Sequence, residues 1–184
     1  STADDCLKTF LLAAIRQYRQ QKHALPQTDW KDALILFGQS LTRAKTLQET
    51  LERIAAGFVQ YLPFERVALF AYSPADDSCI GMYGYQYNHQ AVRKIKEHIP
   101  DIPLFQNRER NHQPIYVPDA SSGFPCRYVK QFQLQSVVIA PLFLASDNMI
   151  LGAAVLDQGE GKPFELASDT LTTLVKFSNF SAET

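Results

Sequence analysis

"ERVALFAYSPADDSCIGMYGYQY", residues 65–87, sets two apolar runs on either side of Ser73-Pro74-Ala75-Asp76-Asp77. Under strand alternation Val67, Leu69 and Ala71 share one face of the first run, and Ala68, Phe70 and Tyr72 share the other. Both faces are apolar, so this strand must be covered on both sides. The polar break between the runs reads as a hairpin turn. "QSVVIAPLFL" (135–144) and "MILGAAVLD" (149–157) repeat the arrangement around Ala145-Ser146-Asp147-Asn148, which predicts a second hairpin, again apolar on both faces.

Helical periodicity surrounds these hairpins. Leu7, Phe10, Leu11, Ala14, Ile15 and Tyr18 recur at helical spacing behind Asp4 and Asp5, and Leu25-Pro26-Gln27 breaks the pattern. Thr28 and Asp29 are caps for a second stripe of Trp30, Ala33, Leu34, Phe37 and Leu41. Thr46-Leu47-Gln48-Glu49 has the form of a capping box. It opens a third helix, with Leu47, Leu51, Ile54, Ala55, Phe58 and Leu62 as its stripe and Pro63 as its end. Between the hairpins the spacing predicts a helix from Asn88 to Lys96 and another around Leu104–Asn111. Next comes "HQPIYVPDASSGF" (112–124), where Pro114 and Pro118 fence Ile115-Tyr116-Val117 into a short edge strand leading to a loop. A sheet buried on both faces needs two layers of cover. The terminal helices supply one, and the short pieces of the middle insertion supply the other, packing less completely and leaving a cavity.

Composition narrows the function. The 184 residues are 46 % hydrophobic, enough for one domain with helical extensions, and the formal net charge of −1 gives no general pull toward nucleic acid. No apolar run reaches the ~18–20 residues that span a bilayer. Cys6, Cys79 and Cys126 are odd in number and form no CxxC, so neither a disulfide framework nor a zinc site is indicated. A soluble, cytoplasmic protein is expected. The first residue is not Met, and the chain reads as a fragment of something longer.

The helix ending "FVQYLPFERVALFAYSP", then "HQPIYVPDA", "FQLQSVVIAPLFL" with Ser136 and Pro141, "ILGAAVLD" and the closing "PFELASDTLTTLVKF" follow one another in an order and spacing that resembles a GAF domain. The resemblance runs from about Leu47 to the C-terminus. It implies an α+β fold: a central antiparallel sheet of five to six strands, terminal helices on one face, and short helices and loops over a pocket on the other. It also implies residues 1–45 as an N-terminal helical extension, 46–184 as the sensor domain, and 164–184 as a terminal signalling or dimerisation helix. No catalysis is implied. The expected function is ligand sensing in a signal-transduction protein whose output domain, such as a helix-turn-helix transcription regulator, lies outside this chain.

The aromatic density between residues 72 and 132 supplies pocket candidates, because aromatics with polar tips line apolar pockets and also fill cores. Tyr72, Tyr83, Tyr85, Phe105, Tyr116, Phe124, Tyr128 and Phe132 are carried forward, with Tyr87 in the same cluster. Asp119 stands beside them as part of the pocket wall or as a cap on the turn after Pro118, Arg127 is an anion candidate in the lid, and Ser136 belongs to the family-like run. His89, His98 and His112 lie on separate segments without metal-ligand spacing. Arg108-Glu109-Arg110 reads as a solvated face rather than an anion guide. No Cys-His pair is present, as a covalent bilin would need, and Lys162, Phe164 and Asp169 are only fragments of the cyclic-nucleotide signature seen in similar domains. The sequence names no cofactor.

Two alternatives stand beside the sensor. One is a ligand-free dimerisation scaffold, because Leu166, Leu171, Leu174, Val175, Phe177 and Phe180 spread over a wide arc that calls for a partner, most simply a second copy, or for cover by the helix at 4–21. The other is a GAF-type free methionine sulfoxide reductase, with Cys126 beside Arg127 and Cys79 as its thiols, although the glycine-flanked cysteine typical of that family is absent.

Overall fold

A computed structural model describes residues 30–105, 112–159 and 161–183. The helix expected over Asp4–Gln21, the caps Thr28 and Asp29, Cys6, the Arg108-Glu109-Arg110 cluster and the helix expected beyond Phe105 lie outside the described residues. The chain divides into two compact units, residues 1–33 and 34–184, and the second holds the sheet.

The elements are α1 (Trp30–Leu41), α2 (Leu47–Tyr61), β1 (Arg66–Ser73), β2 (Ser78–Tyr85), α3 (His89–Arg93), β3 (Lys96–His98), β4 (Ile115–Val117), α4 (Cys126–Phe132), β5 (Val137–Leu144), β6 (Met149–Asp157) and α5 (Ser168–Ala182), with single 3-10 turns at Ile99–Asp101, Pro103–Phe105 and Ala120–Ser122. The six strands form one antiparallel sheet in the order β3-β2-β1-β6-β5-β4. Both expected hairpins are present, and the Pro-fenced strand β4 lies at the sheet edge. The Thr46 cap forms, its side chain accepting from Glu49 N–H at 3.1 Å, while the Glu49 carboxylate reaches back to the N–H of Lys45, one residue before the cap, at 2.7 Å.

The middle of the chain differs from its sequence pattern. The helix expected to run to Lys96 stops at Arg93, and residues 96–98 leave as β3, pairing with β2 through Cys79 and Glu97. Local periodicity cannot see this, because the pairing is offered by a strand that is distant along the chain. Gly81 makes room for it. A Cβ there would sit 1.9 Å from the Val92 carbonyl oxygen, and the Gly81 N–H instead donates to Ile95 C=O at 2.9 Å.

Helices α2 and α5 pack on the sheet face that carries Val67, Leu69, Val138, Ala140, Ala154 and Leu156, and α1 packs against these two helices through Phe37. The Phe37 ring on α1 stacks on Phe177 of α5 at 5.1 Å and lies near Phe180 at 5.9 Å, so α1 covers part of the apolar arc noted on the last helix. Gly57 on α2 admits Phe37, since a Cβ there would fall 2.2 Å from a ring carbon.

That contact fixes the sign of one substitution. Alanine is the better helix former by about 1 kcal/mol, yet Gly57→Ala is expected to destabilise by roughly 1–3 kcal/mol because the added methyl overpacks the Phe37 site. A rise in the urea midpoint would overturn the assignment.

Candidate functional site

The other sheet face is floored by Ala68 and Phe70 of β1, Ile139 of β5 and Ala153 and Val155 of β6, joined by Cys79 of β2. Small side chains at Ala68 and Ala153 leave depth that the overlying pieces do not fill. Those pieces are α3, the turns at 99–105 and α4, which contribute Val92, Ile95, Ile99, Ile102, Phe105, Phe124, Pro125, Tyr128, Phe132 and Leu134. Between floor and cover lies a cavity of about 130 Å³ with an almost wholly apolar wall.

Two polar groupings bound it. At one, Arg66 and Asp157 form a buried bidentate pair, with Arg66 Nε 2.7 Å from Asp157 Oδ1 and a terminal nitrogen 2.6 Å from Oδ2. Tyr87 donates its hydroxyl to Oδ2 at 2.5 Å, its ring lies under the Arg66 guanidinium at 4.4 Å, and Gly159 N–H donates to Oδ1 at 2.8 Å. Burial, reinforced by the Asp157 charge, pushes the Tyr87 hydroxyl well above the usual phenol range. At the other, the Glu97 carboxylate on β3 accepts from the Tyr128 hydroxyl and the Arg127 guanidinium, tying α4 to the opposite sheet edge. Burial first, and then the bond to Glu97, raises the Tyr128 hydroxyl; burial also pushes the Cys79 thiol up.

Of the expected site residues, Phe105, Phe124, Tyr128 and Phe132 meet at the cavity. Seven do not line it. Tyr72 lies toward the hairpin turn and donates to Asp77 at 3.0 Å. Tyr83 and Tyr85 are displaced by a bulge opposite Leu69 and Phe70: Phe70 pairs with Gly81, but Leu69 pairs with Tyr83 and Val67 with Tyr85, so both tyrosines share the helix-covered face. Tyr116 pairs with Val138, packs its ring at a tilt against that of Phe164 at 5.6 Å and donates its hydroxyl to the Phe164 carbonyl. Ser136 donates to Pro118 C=O at 2.8 Å and accepts from Phe164 N–H at 3.4 Å, which fastens the lead into α5. Asp119 takes the capping alternative, accepting from the backbone N–H and the hydroxyl of Ser121 at 2.9 and 2.7 Å, and those bonds lower its carboxyl pKa. Arg127 is largely exposed beyond the cavity wall.

Glu97 and the small floor residues were not among the expected set. Glu97 lies one residue beyond the helix expected to end at Lys96, and nothing local marks it. Tyr87 was visible only as one aromatic among many. Among the described residues no group of three or more His, Cys, Asp and Glu is placed to hold a metal ion, and no helix there is long and apolar enough to cross a membrane.

The family model of the GAF domain matches residues 46–183. The GAF domain of a phosphoenolpyruvate-protein phosphotransferase from Coxiella burnetii superposes with a TM-score of 0.68 at 18% identity, covering 84% of this chain and 91% of that one. Residues 122 to 287 of a methyl-accepting chemotaxis protein give 0.64 at 15% identity, covering 80% and 93%. The phycoerythrobilin-bound GAF domain of a cyanobacterial phytochrome gives 0.60 at 17% identity, covering 86% and 95%. No curated protein sequence is a match.

The Tyr87 bond carries a pH signature. Its folded pKa is raised above the unfolded value near ~10, so its contribution is complete below that pH and is lost as pH rises toward the folded value. Tyr87→Phe is expected to lose roughly 1–3 kcal/mol at neutral pH, as for a hydrogen bond to a charged group. It should also flatten the alkaline decline, read by urea denaturation between about pH 8 and pH 11. An unchanged alkaline limb would remove Tyr87 from this role.

Proposed function

This chain belongs to the GAF domain family, and we propose that it is a cytoplasmic ligand-sensing domain of a signal-transduction protein, regulating a linked output domain such as a helix-turn-helix transcription regulator. The cavity under α4 carries this reading. It is roofed by short pieces rather than a continuous helix, so ligand entry and α4 position are coupled. A ligand shifts the balance between two arrangements only through different affinity for them. Phe164, held by Ser136 and Tyr116, joins the sheet edge next to α4 to the start of α5, which gives such a shift a physical route to the terminal helix.

The cavity lining points to the kind of ligand. At about 130 Å³, with an almost wholly apolar wall, the cavity suits a small, largely apolar molecule. The methionine sulfoxide reductase alternative loses support at Cys79, because a nucleophilic thiol needs its pKa lowered and burial raises this one. Dimerisation through the terminal helices remains part of the proposal, as function or as the scaffold alternative. It is supported by Ile35 and Leu36 on α1, which are 58% and 50% exposed. Light scattering of the double variant Ile35→Asp, Leu36→Asp is expected to show a loss of dimer, and an unchanged mass would exclude that face.

Native mass spectrometry tests the sensor reading directly, with non-covalent mass retained by the folded protein as the expected result. Ala153→Leu fills the cavity floor and is expected to abolish that mass while leaving the unfolding midpoint unchanged or higher. Ligand retained undiminished by the folded variant would place the site elsewhere.

A further inference from the structure

The connection between β4 and β5 carries α4 over the cavity, and its two ends meet at a closed neck. Val117 pairs with Val137, the Ser136 hydroxyl donates to Pro118 C=O at 2.8 Å, and Ala120 N–H donates to Gln135 C=O at 2.6 Å. Residues 120–135 leave this neck as one loop, rooted at the β4–β5 edge of the sheet. Its far contact is at the opposite edge, where Glu97 of β3 accepts from Tyr128 and Arg127 through the same oxygen, Oε1. The loop is a strap across the sheet face, with Pro125, Tyr128 and Phe132 in the cavity wall on its underside.

The two ends of the strap are held differently. At the root, strand pairing and backbone bonds are joined by Gly161 N–H, which donates to Gln133 C=O at 3.0 Å, and Phe132 is buried alongside Leu134. Midway, Gly123 C=O accepts from Leu104 N–H at 3.1 Å, but that partner belongs to another piece of the cover, not to the sheet. At the far end, among the described residues, the polar hold of α4 on the sheet is Glu97, and the Arg127 side chain is 64% exposed. An ion pair with so exposed a partner is weak. Beneath α4 lies the cavity rather than packed side chains, and segments with few buried apolar contacts open at lower free energy than the core. The far end therefore lets go first.

We propose that residues 120–135 form a strap that swings on its β4–β5 root, with Glu97 as the clasp that holds it over the cavity. Glu97 is then a positioning residue, acting through Tyr128 and Arg127 on how readily the cavity exchanges its ligand. The root also anchors the lead into α5, through Ser136 to Phe164 N–H and through Gly161 to Gln133, so movement of the strap reaches that helix at a shared point. The proposal rests on the sensor reading above and adds the part that moves.

Cys79 reports on the clasp end, because it lines the cavity and pairs in register with Glu97. In the full chain carrying Cys6→Ser and Cys126→Ser, its labelling by N-ethylmaleimide is followed in rising urea below the unfolding transition. Labelling through the strap is expected to depend on urea much less steeply than global unfolding does, since little surface is exposed. Tyr128→Phe removes one donor without changing any charge, and is expected to speed that labelling about tenfold, the effect of losing a hydrogen bond to a charged group. Glu97 itself stays, because a change beside Cys79 would alter the thiol directly. An unchanged rate in Tyr128→Phe, or labelling that follows the urea slope of global unfolding, would overturn the clasp. Neither result involves a ligand, so the sensor reading stands or falls separately on the retained mass.

Discussion

The central strands are apolar on both faces, and most of the architecture follows from having to cover them twice. Val67, Leu69, Val138 and Leu156 are buried under long helices, where ring stacking between Phe37 and Phe177 and the missing Cβ of Gly57 allow close packing. The opposite face is covered by a five-residue helix, three short turns and a seven-residue helix. Short pieces cannot interdigitate with a sheet along its whole length, and the floor beneath them carries alanine at 68 and 153. The cavity is what remains when one face receives helices long enough to pack and the other does not.

The cover on the weaker side is held by polar contacts at its margins. Arg66 and Asp157 face each other where β1 begins and β6 ends, and Tyr87 closes over them from the chain leaving β2. A buried ion pair is not in itself a source of stability, since desolvation opposes the attraction. Here the carboxylate accepts from Arg66, Tyr87 and Gly159, so its oxygens are well satisfied and the charge is tolerated. Across the cavity Glu97, largely buried, plays the corresponding part, and its ion-pair partner Arg127 is mostly exposed, so solvent weakens that pair.

Much of this was legible locally. Both hairpins, the Thr46 cap, the stop before Pro63 and the edge position of Ile115–Val117 follow from alternation, capping chemistry and the missing proline donor. The cavity's location followed from the imbalance between long and short covering elements. Its lining was only half legible. Phe105, Phe124, Tyr128 and Phe132 meet there, but a single bulge turns Tyr83 and Tyr85 to the other face; glycine inside a strand can mark a bulge, yet Gly81 and Gly84 do not by themselves fix where it falls. Glu97 escaped notice because its strand exists only through pairing with β2.

Sequence alone determined the elements whose signals are local: periodicity, caps, proline and turn residues act within a few positions of themselves. The order of motifs along the chain extended this to the family. Tertiary structure alone decided which polar atoms face the cavity. That depends on register between strands far apart in sequence, on the one-residue bulge that inverts a face, and on the close approach Gly81 permits. Each is settled by the packing of distant segments against one another, which no local pattern encodes.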